Sequence, residues 1–312
     1  MLVGRLRIHL DTDIGSDPDD ACALAMLAGW PGVELTGVTT TIDPGGRRAG
    51  YAALCLELAG LGGVPVAAGA EVSLTSLRLP GEIPPDERYW GGPVQEKPSG
   101  AGAAFDLIEA SIDAGATLVA IGPFTNLALF EVARPGRLAS VPVVLMGGWV
   151  APPGDGLPHW GPEADWNVQC DTRAAQIVTS AVTDLTLVTL AATARVHLRE
   201  AHLPRLEAAG PLGRLLARQA RAYREDRDRP ELAAGFPGIP ADLLNFHHDP
   251  LTCAVAAGWD RVRTERLPLR PADSDGAMRF EIDKDGRPAR VVLDADGEAF
   301  EEAWLDAVSR LR

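Results

Sequence analysis

The feature that most constrains this chain is an acidic turn that follows its first predicted strand. Residues 6–10 predict that strand, because apolar and polar side chains alternate along them. Within the next ten residues the chain carries five aspartates, Asp11, Asp13, Asp17, Asp19 and Asp20. A helix is predicted to begin near Asp19, where negative charge meets the positive end of the helix dipole. The fold must therefore hold five carboxylates together at one strand-to-helix junction.

These carboxylates need a positive partner, because each like-charged neighbour raises the pKa of the others. No Lys or Arg lies between Arg7 and Arg47, so a bound cation is the simplest partner. Oxygen ligands favour a hard ion such as Ca2+ or Mg2+, and no Cys or His stands at zinc-binding spacing nearby. One or two such aspartates would indicate helix caps and turns, whereas five indicate a metal site.

Length, charge and cysteine content limit the classes of protein that this chain can be. Its 312 residues suit one large α/β domain, so a single domain over residues 1–312 is predicted. The formal net charge of -14, from 29 basic and 43 acidic residues, argues against nucleic acid or an anionic membrane as the partner. The four cysteines form no CxxC pair, which is typical of reduced thiols. With no signal peptide or membrane helix in the pattern, the expected location is the cytoplasm.

Strands and helices alternate along the first 190 residues, which is the pattern of a parallel sheet covered on both faces. Further strands are predicted at 33–42, 64–68, 117–121, 141–146 and 185–190, and helices at 47–61, 103–114, 126–132 and 172–180. The strand at 185–190 is expected to end the parallel series. Two long loops, at 69–102 and from 147 onward, interrupt the alternation, and loops of this length are usually functional or disordered.

The C-terminal part of the sequence carries a different pattern. Residues 199–229 are rich in Arg, Glu and Ala at helical spacing, which indicates a solvated helical pair with no functional role. Residues 279–283 and 289–294 flank an Asp-Gly turn and predict an antiparallel hairpin, followed by a final helix. The predicted fold class is therefore α/β: an open, mostly parallel, doubly wound sheet with helices on both faces, plus a small C-terminal β-hairpin and helix.

Polar residues fall where the predicted strands end. In an open α/β sheet, ligands bind beyond the carboxyl ends of the strands. The acidic turn, residues 39–43, residues 123–126 and the pair Gly147-Gly148 all occupy such positions. A later cluster at 245–251 contains a His-Asp pair and heads an apolar helix, so it can meet the acidic turn.

An ordered set of motifs resembles the inosine-uridine preferring nucleoside hydrolase family over nearly the whole chain. The motifs are Asp11-Thr-Asp-Ile-Gly15, Asp19-Asp20-Ala21, Gly37-Val-Thr-Thr40, Ile121-Gly-Pro-Phe-Thr-Asn-Leu-Ala128, Met146-Gly-Gly148, Ala164-Asp-Trp-Asn167 and His248-Asp-Pro-Leu251. Each motif alone is weak, whereas the set in this order is specific.

The resemblance implies Ca2+-dependent hydrolysis of the N-glycosidic bond of ribonucleosides, giving ribose and free base. It implies that Ca2+ is bound by Asp13, Asp20, the backbone carbonyl of Thr125 and Asp249. The sugar hydroxyls and a water molecule would complete the coordination shell. Asp13 would be the general base and His248 would assist departure of the base. A homodimer or homotetramer is also implied.

The resemblance further assigns residues to the substrate. Asp19, Asn167 and Asp165 would hold the ribose hydroxyls, and Asp43 would replace an asparagine that is usual in the family. Three indoles in the two long loops, Trp90, Trp160 and Trp166, are expected to stack on the base, with anchoring of their own loops as the alternative for each.

Departures from the family pattern leave alternatives open. The acidic turn is two residues longer than in the best-known members, so either Asp17 or Asp19 could face the ribose. Asp11 followed by Asp13 also fits a haloacid-dehalogenase-like phosphatase, but that mechanism needs a lysine, and Lys97 and Lys284 lie in a loop and a predicted turn. A non-catalytic protein that binds nucleoside or ribose is the third reading. The preferred base stays open.

Overall fold

The structure, a computed structural model, describes residues 5–75 and 83–311. Its strands are β1 (Leu6–Thr12), β2 (Val33–Thr40), β3 (Val66–Ala68), β4 (Thr117–Ala120), β5 (Pro142–Met146), β6 (Asp184–Val188), β7 (His197–Arg199), β8 (Leu243–Phe246), β9 (Val262–Ser274), β10 (Ala277–Ile282) and β11 (Arg287–Ala295). Its α-helices are α1 (Asp19–Gly29), α2 (Arg47–Leu58), α3 (Asp86–Tyr89), α4 (Ala103–Asp113), α5 (Thr125–Ala133), α6 (Trp166–Cys170), α7 (Thr172–Ala181), α8 (Leu190–Thr193), α9 (Leu203–Ala208), α10 (Gly210–Asp226), α11 (Arg229–Gly235), α12 (His248–Ala256) and α13 (Gly297–Val308).

Of the strands in the described ranges, nine form one sheet in the order β10-β9-β11-β6-β5-β4-β1-β2-β3. The seven strands from β11 to β3 run parallel, and β9 and β10 extend the sheet in antiparallel fashion. β7 and β8 pair separately as a short antiparallel ribbon. After β1 the chain builds outward through β2 and β3, and then crosses back to β4 on the other side of β1. This reversal of direction places the end of β1 at the position where ligands bind in doubly wound sheets.

Helices cover both faces of the sheet because its central strands are apolar on both sides. Along β5, Val144 and Met146 join the core under α1, α2, α12 and α13, whereas Val143 and Leu145 join the core under α4, α5 and α7. Alternation with a period of two explains this division, since successive side chains of a strand point to opposite faces. Within the described residues, no helix has the length and apolar character needed to cross a membrane.

The predicted fold class is confirmed, with two corrections near the C-terminus. The strand at Asp184–Val188 does not end the parallel series, since β11 pairs with it in parallel through residues 290–292. The hairpin consists of β9 and β10, whereas the sequence predicted pairing between what became β10 and β11; both of these strands flank β9. The turn uses Asp275-Gly276, whose φ angles of 53° and 81° suit a tight two-residue hairpin turn. The second Asp-Gly pair, at 285–286, gave the same local signal and misled the prediction.

The segment at 199–229 also differs from its prediction. Its main element is the long helix α10, one side of which is buried through residues such as Leu212, Leu216 and Ala220. The same side carries Tyr223, which is 6% exposed and lies near the end of the helix. The charges therefore lie only on the outer face of a packed helix, and its inner face belongs to the apolar core.

Helix α13 is tied to the β7 region by a buried carboxylate. Glu301 lies 3.3 Å from Nε2 of His202 and 3.7 Å from Nδ1 of His197. Burial raises the pKa of Glu301, but hydrogen bonds from the two histidines outweigh it and hold that pKa at about 2. A lowered pKa means that the ionised carboxylate stabilises the fold.

Glu301→Gln should therefore lower the free energy of unfolding at pH 7 by about 1–3 kcal/mol, as expected for loss of a buried charge-assisted hydrogen bond. Because the folded-state pKa lies below the ordinary value of 4.5, the stabilisation is present above that value and is lost as the pH falls toward 2. Urea unfolding at a series of pH values measures this difference. Glu302→Gln, at an exposed neighbour, is the control, and an equal effect of both substitutions would contradict the assignment.

Candidate active site

Three buried carboxylates meet beyond the end of β1. Asp19 and Asp20 lie in the first turn of α1, and Asp249 lies in the first turn of α12. Each offers one oxygen, these three oxygens lie within 4.8 Å of one another, and each residue is 4% exposed. Two helix N-termini thus point their positive ends at one group of negative charges. The meeting of the acidic turn with the His-Asp pair, expected from the sequence, is present in the structure.

Burial and mutual repulsion act on this group together. Burial, followed by repulsion from neighbouring aspartates, raises the pKa of Asp19, Asp20 and Asp249 well above the ordinary value. Burial also raises the pKa of Asp13, while the charge of Arg48 and a hydrogen bond from Trp166 lower it. A cation bound beside such carboxylates would favour their ionised forms and lower these pKa values.

Arg48 is a positive partner that the sequence argument missed. It comes from α2, is 3% exposed, and donates from Nη1 to the carbonyl of Ile14 at 3.0 Å and from Nε to the carbonyl of Ile42 at 3.1 Å. Its charge also lowers the pKa of Asp20 against the effect of burial. One arginine does not neutralise four aspartates, so the oxygen-only cluster still fits a hard cation.

The structure distinguishes Asp17 from Asp19. The Asp17 carboxylate accepts hydrogen bonds from the Tyr223 hydroxyl at 2.5 Å, from the Asn245 amide at 2.5 Å and from the Asp19 backbone N–H at 3.1 Å. Asp19 accepts one long bond, from the backbone N–H of Asp249 at 3.4 Å. Both residues line the cleft, but Asp17 already accepts three hydrogen bonds from the protein, whereas Asp19 accepts one.

The carboxylates open into a cleft of about 780 Å³. Asp13 and Asp19 line it together with Asn167, whose amide nitrogen donates to the carbonyls of Ile121 at 2.8 Å and Met146 at 3.2 Å. Both amide hydrogens of Asn167 are thereby used, and its oxygen is left as an acceptor. The rest of the lining includes aromatic and cationic side chains, namely Trp160, Trp166, Tyr223, Arg227, Arg229 and His248.

His248 is held rigidly in the cleft wall. Its Nδ1 lies 2.8 Å from the Thr193 hydroxyl, and its ring stacks on Phe246 with 5.4 Å between centroids and 22° between planes. Trp160 contacts the same ring from a tilted orientation, at 5.8 Å. Burial lowers the pKa of His248 to about 4, so the imidazole is neutral at pH 7.

Three residues predicted to contact substrate are turned toward the protein instead. Trp90 is buried and stacks on Tyr51 at 4.1 Å with 4° between the rings. Asp43 caps α2 by accepting from the backbone N–H groups of residues 48 and 49 at 2.8 and 3.0 Å. Asp165 accepts from the backbone N–H groups of Gly148 at 2.7 Å and residue 149 at 3.0 Å. These side chains support the cleft, because buried backbone N–H groups require acceptors.

Thr125, whose carbonyl is the remaining predicted metal ligand, begins α5. Its hydroxyl donates to Asp171 at 2.7 Å, and the next residue, Asn126, donates from its amide to Asp11 at 2.7 Å. The start of α5 is thus fastened to the end of β1. Ligation by the Thr125 carbonyl stays a prediction.

Among the charged and aromatic residues of the cleft lining, sequence reasoning missed four: Arg48, Tyr223, Arg227 and Arg229. The last three lie in or beside the charged run that was interpreted as solvated. The spacing of Tyr223 on the apolar side of α10 is the signal that could have revealed it.

The sequence model of the family described as "Inosine-uridine preferring nucleoside hydrolase" matches residues 8–302. The chain belongs to this family. The pyrimidine-specific ribonucleoside hydrolase RihA of Shewanella sp. (strain ANA-3) is 29% identical to it over 324 residues, covering 97% of this chain and 96% of that protein. Relatives of this kind place the chain among the enzymes that hydrolyse ribonucleosides.

Solved structures share the fold. The plant nucleoside hydrolase PpNRh1 superposes with a TM-score of 0.79 at 22% identity, covering 98% of this chain and 99% of that one. A purine-preferring ribonucleoside hydrolase from Gardnerella vaginalis gives a TM-score of 0.76 at 21% identity, with 98% of both chains covered.

The phosphatase alternative is wrong for this nucleoside hydrolase. Asp11, its required nucleophile, is fully buried and accepts hydrogen bonds from Thr39 at 2.5 Å and Asn126 at 2.7 Å. Burial raises the pKa of Asp11 to about 7, which further disfavours a free carboxylate nucleophile. Lys97 is exposed in its loop and takes no part in the acidic cluster.

The positions of the indoles predict opposite effects for two substitutions. Trp90→Ala should cost about 3–5 kcal/mol of stability, as for other buried aromatic truncations, and leave kcat/KM for nucleosides within twofold. Trp160→Ala should cost less stability and raise KM roughly tenfold, if its face meets the base with the ~1–3 kcal/mol of an aromatic stack. Thermal unfolding and steady-state kinetics with inosine and uridine measure both. A rise in KM for Trp90→Ala, with no rise for Trp160→Ala, would contradict the assignment of Trp90 to packing and of Trp160 to the base.

Proposed function

We propose that this nucleoside hydrolase cleaves the N-glycosidic bond of ribonucleosides in the acidic cleft, in a Ca2+-dependent reaction that releases ribose and the free base. The observation that carries the proposal is the convergence of Asp19, Asp20 and Asp249 beside Asp13, all at the end of β1. We also propose a homodimer or homotetramer, as the family resemblance implies, and a cytoplasmic location.

The donor set fits the metal. Asp20 and Asp249 belong both to the buried cluster and to the predicted ligand set, and Asp13 acts electrostatically on both of them. Hard carboxylate oxygens are the ligands that Ca2+ prefers. When bound, Ca2+ lowers the pKa of a coordinated water and orients the sugar hydroxyls.

Asp13 is proposed as the general base that takes a proton from the attacking water. It lines the cleft and is only partly buried, so water reaches it. Gly122 keeps the space beside it open, because a Cβ on that residue would lie 2.8 Å from Oδ1 of Asp13. Arg48 favours the ionised form that a base requires.

The proposed ribose contacts are hydrogen-bond acceptor atoms that the protein itself does not use. Asp19 has a nearly free carboxylate, and Asn167 presents its oxygen because its two amide hydrogens are used by backbone carbonyls. Both are suited to accept hydrogen bonds from sugar hydroxyls. The surrounding carboxylates also stabilise the positive charge that develops on the ribose ring as the glycosidic bond breaks.

His248 is proposed to assist the leaving base as a neutral hydrogen-bond donor. With its pKa lowered to about 4, it holds no extra proton to give at pH 7. If the Thr193 hydroxyl donates to Nδ1, the ring proton lies on Nε2 and can be offered to the base. Trp160, packed against the same ring, provides an aromatic face beside it.

Asp13→Asn should lower kcat by roughly 10²- to 10⁴-fold while the fold stays intact, because the amide keeps the shape of the side chain and cannot accept the proton. Release of reducing sugar from nucleosides, with circular dichroism of each variant, measures this. Asp155→Asn, at an exposed loop position, is the matched control. More than half of the parent rate in Asp13→Asn would remove Asp13 from the base role.

Asp249→Ala should weaken Ca2+ binding, because a hard ion loses one of its few charged ligands. Added CaCl2 is expected to raise the Tm of the parent protein and a chelator to lower it, since a ligand that binds only the folded state stabilises it. Asp249→Ala should lose most of this shift, and Asp260→Ala, at an exposed site, should keep it. An unchanged shift in Asp249→Ala would exclude it as a ligand.

A further inference from the structure

Asp17 is the centre of a polar network that joins three distant parts of the chain. It lies in the two-residue extension of the acidic turn, and its carboxylate accepts from Tyr223 at the end of α10 and from Asn245 on β8, both at 2.5 Å. These partners are 206 and 228 residues away in sequence. With the Asp19 backbone N–H at 3.1 Å, Asp17 has three donors directed at it.

Arg229, the first residue of α11, closes the network. Its Nη2 donates to the Asn245 oxygen at 3.1 Å and lies 3.4 Å from the Tyr223 hydroxyl. Its guanidinium carbon also lies 5.1 Å from the Tyr223 ring centroid and 5.4 Å from that of Phe246. One carboxylate and one guanidinium thus face each other across Asn245 and Tyr223. The Asn245 amide is oriented by both charges, since its nitrogen donates to one and its oxygen accepts from the other.

The network supports the part of the cleft wall that is not acidic. Asp17, Tyr223 and Arg229 all line the cleft. Phe246 contacts Arg229 and also stacks on His248. The position of His248 therefore depends on the network around Asp17. A displacement of about 1 Å in groups that orient a substrate can cost two orders of magnitude in rate.

We propose that Asp17 is a positioning residue that fixes this wall against the leaving base and does not itself contact ribose or metal. The inference rests on the proposed function and deepens it. Its physical basis is that the Asp17 carboxylate already accepts three hydrogen bonds from protein donors, and that the Tyr223 and Asn245 donors would lose their acceptor without it. A buried donor left without an acceptor moves or becomes hydrated.

The discriminating experiment exchanges the acid and the amide. Asp17→Asn leaves one acceptor oxygen where there were two, so its NH2 group faces either the Tyr223 hydroxyl or the Asn245 amide and the Asp19 N–H. It also removes the negative charge, and should therefore weaken the network. Adding Asn245→Asp restores a donor–acceptor pair in the reverse sense and keeps an acceptor for Arg229. We expect Asp17→Asn to lower kcat/KM for inosine and uridine at least tenfold, chiefly through KM, and the double variant to return within about threefold of the parent.

Two kinetic results would overturn the proposal. The first is parent-like kinetics in Asp17→Asn. The second is a double variant that is folded yet no better than the single one, because a residue that contacts ribose or metal directly is not replaced by a carboxylate at position 245. Loss of the Ca2+-induced rise in Tm in Asp17→Asn would likewise show a direct part in the metal site.

Asp226→Asn is the matched control. Asp226 lies on the same helix as Tyr223 and accepts from a tyrosine hydroxyl, that of Tyr89, at 3.0 Å, but it does not line the cleft. Its kinetics should stay within twofold of the parent.

Amide hydrogen exchange provides a readout that does not depend on turnover. Exchange in residues 227–235 should rise in Asp17→Asn and return in the double variant, and an unchanged rate would overturn the proposal. If the parent hydrolyses no nucleoside, the proposed function fails, and the exchange rates alone decide whether Asp17 holds the wall.

Discussion

The interaction on which this structure depends is the repulsion among aspartates buried at the end of β1. Burial raises the pKa of each, and proximity raises it further. This repulsion is reduced by the positive ends of two helices, by the guanidinium of Arg48 and by hydrogen bonds such as that from Thr12 to Asp20. These compensations are partial, and the remaining imbalance is what gives the site its affinity for a cation.

The sheet makes this meeting possible. β1 lies where the strand order reverses, and the first turns of α1 and α12 meet beyond its carboxyl end, where the two helices pack against each other. The apolar cores on the two faces of the sheet hold the strands that carry the loops, and close packing leaves these strands little freedom to move. The carboxylates proposed for catalysis and metal binding thus lie at the ends of rigid elements, which suits a reaction that needs fixed geometry.

A second set of side chains holds the loops around the cleft. Asp165 binds the backbone after β5, Asp43 caps α2 so that Arg48 faces the acidic cluster, and Trp90 stacks on Tyr51. Each has a residue type that could serve a substrate, and each is occupied by the protein. Polar residues at the ends of strands therefore divide into those that mainly hydrogen-bond the protein's own backbone, such as Asp43 and Asp165, and those that make few such bonds, such as Asp19.

The sequence by itself determined the alternating α/β pattern, the place of the acidic turn and the family motifs, because these depend on local periodicity and on residues that lie close together in the chain. It could not determine which Asp-Gly pair turns the hairpin, since β9 separates β10 from β11 only in the folded sheet. Nor could it decide between Asp17 and Asp19. That choice depends on Tyr223 and Asn245, which lie more than 200 residues away and reach Asp17 only when α10 and β8 pack beside the acidic turn. Whether a carboxylate is hydrogen-bonded within the protein depends on tertiary contacts. A hydrogen bond requires a donor close in space, and the order of residues in the chain does not show which donor that is.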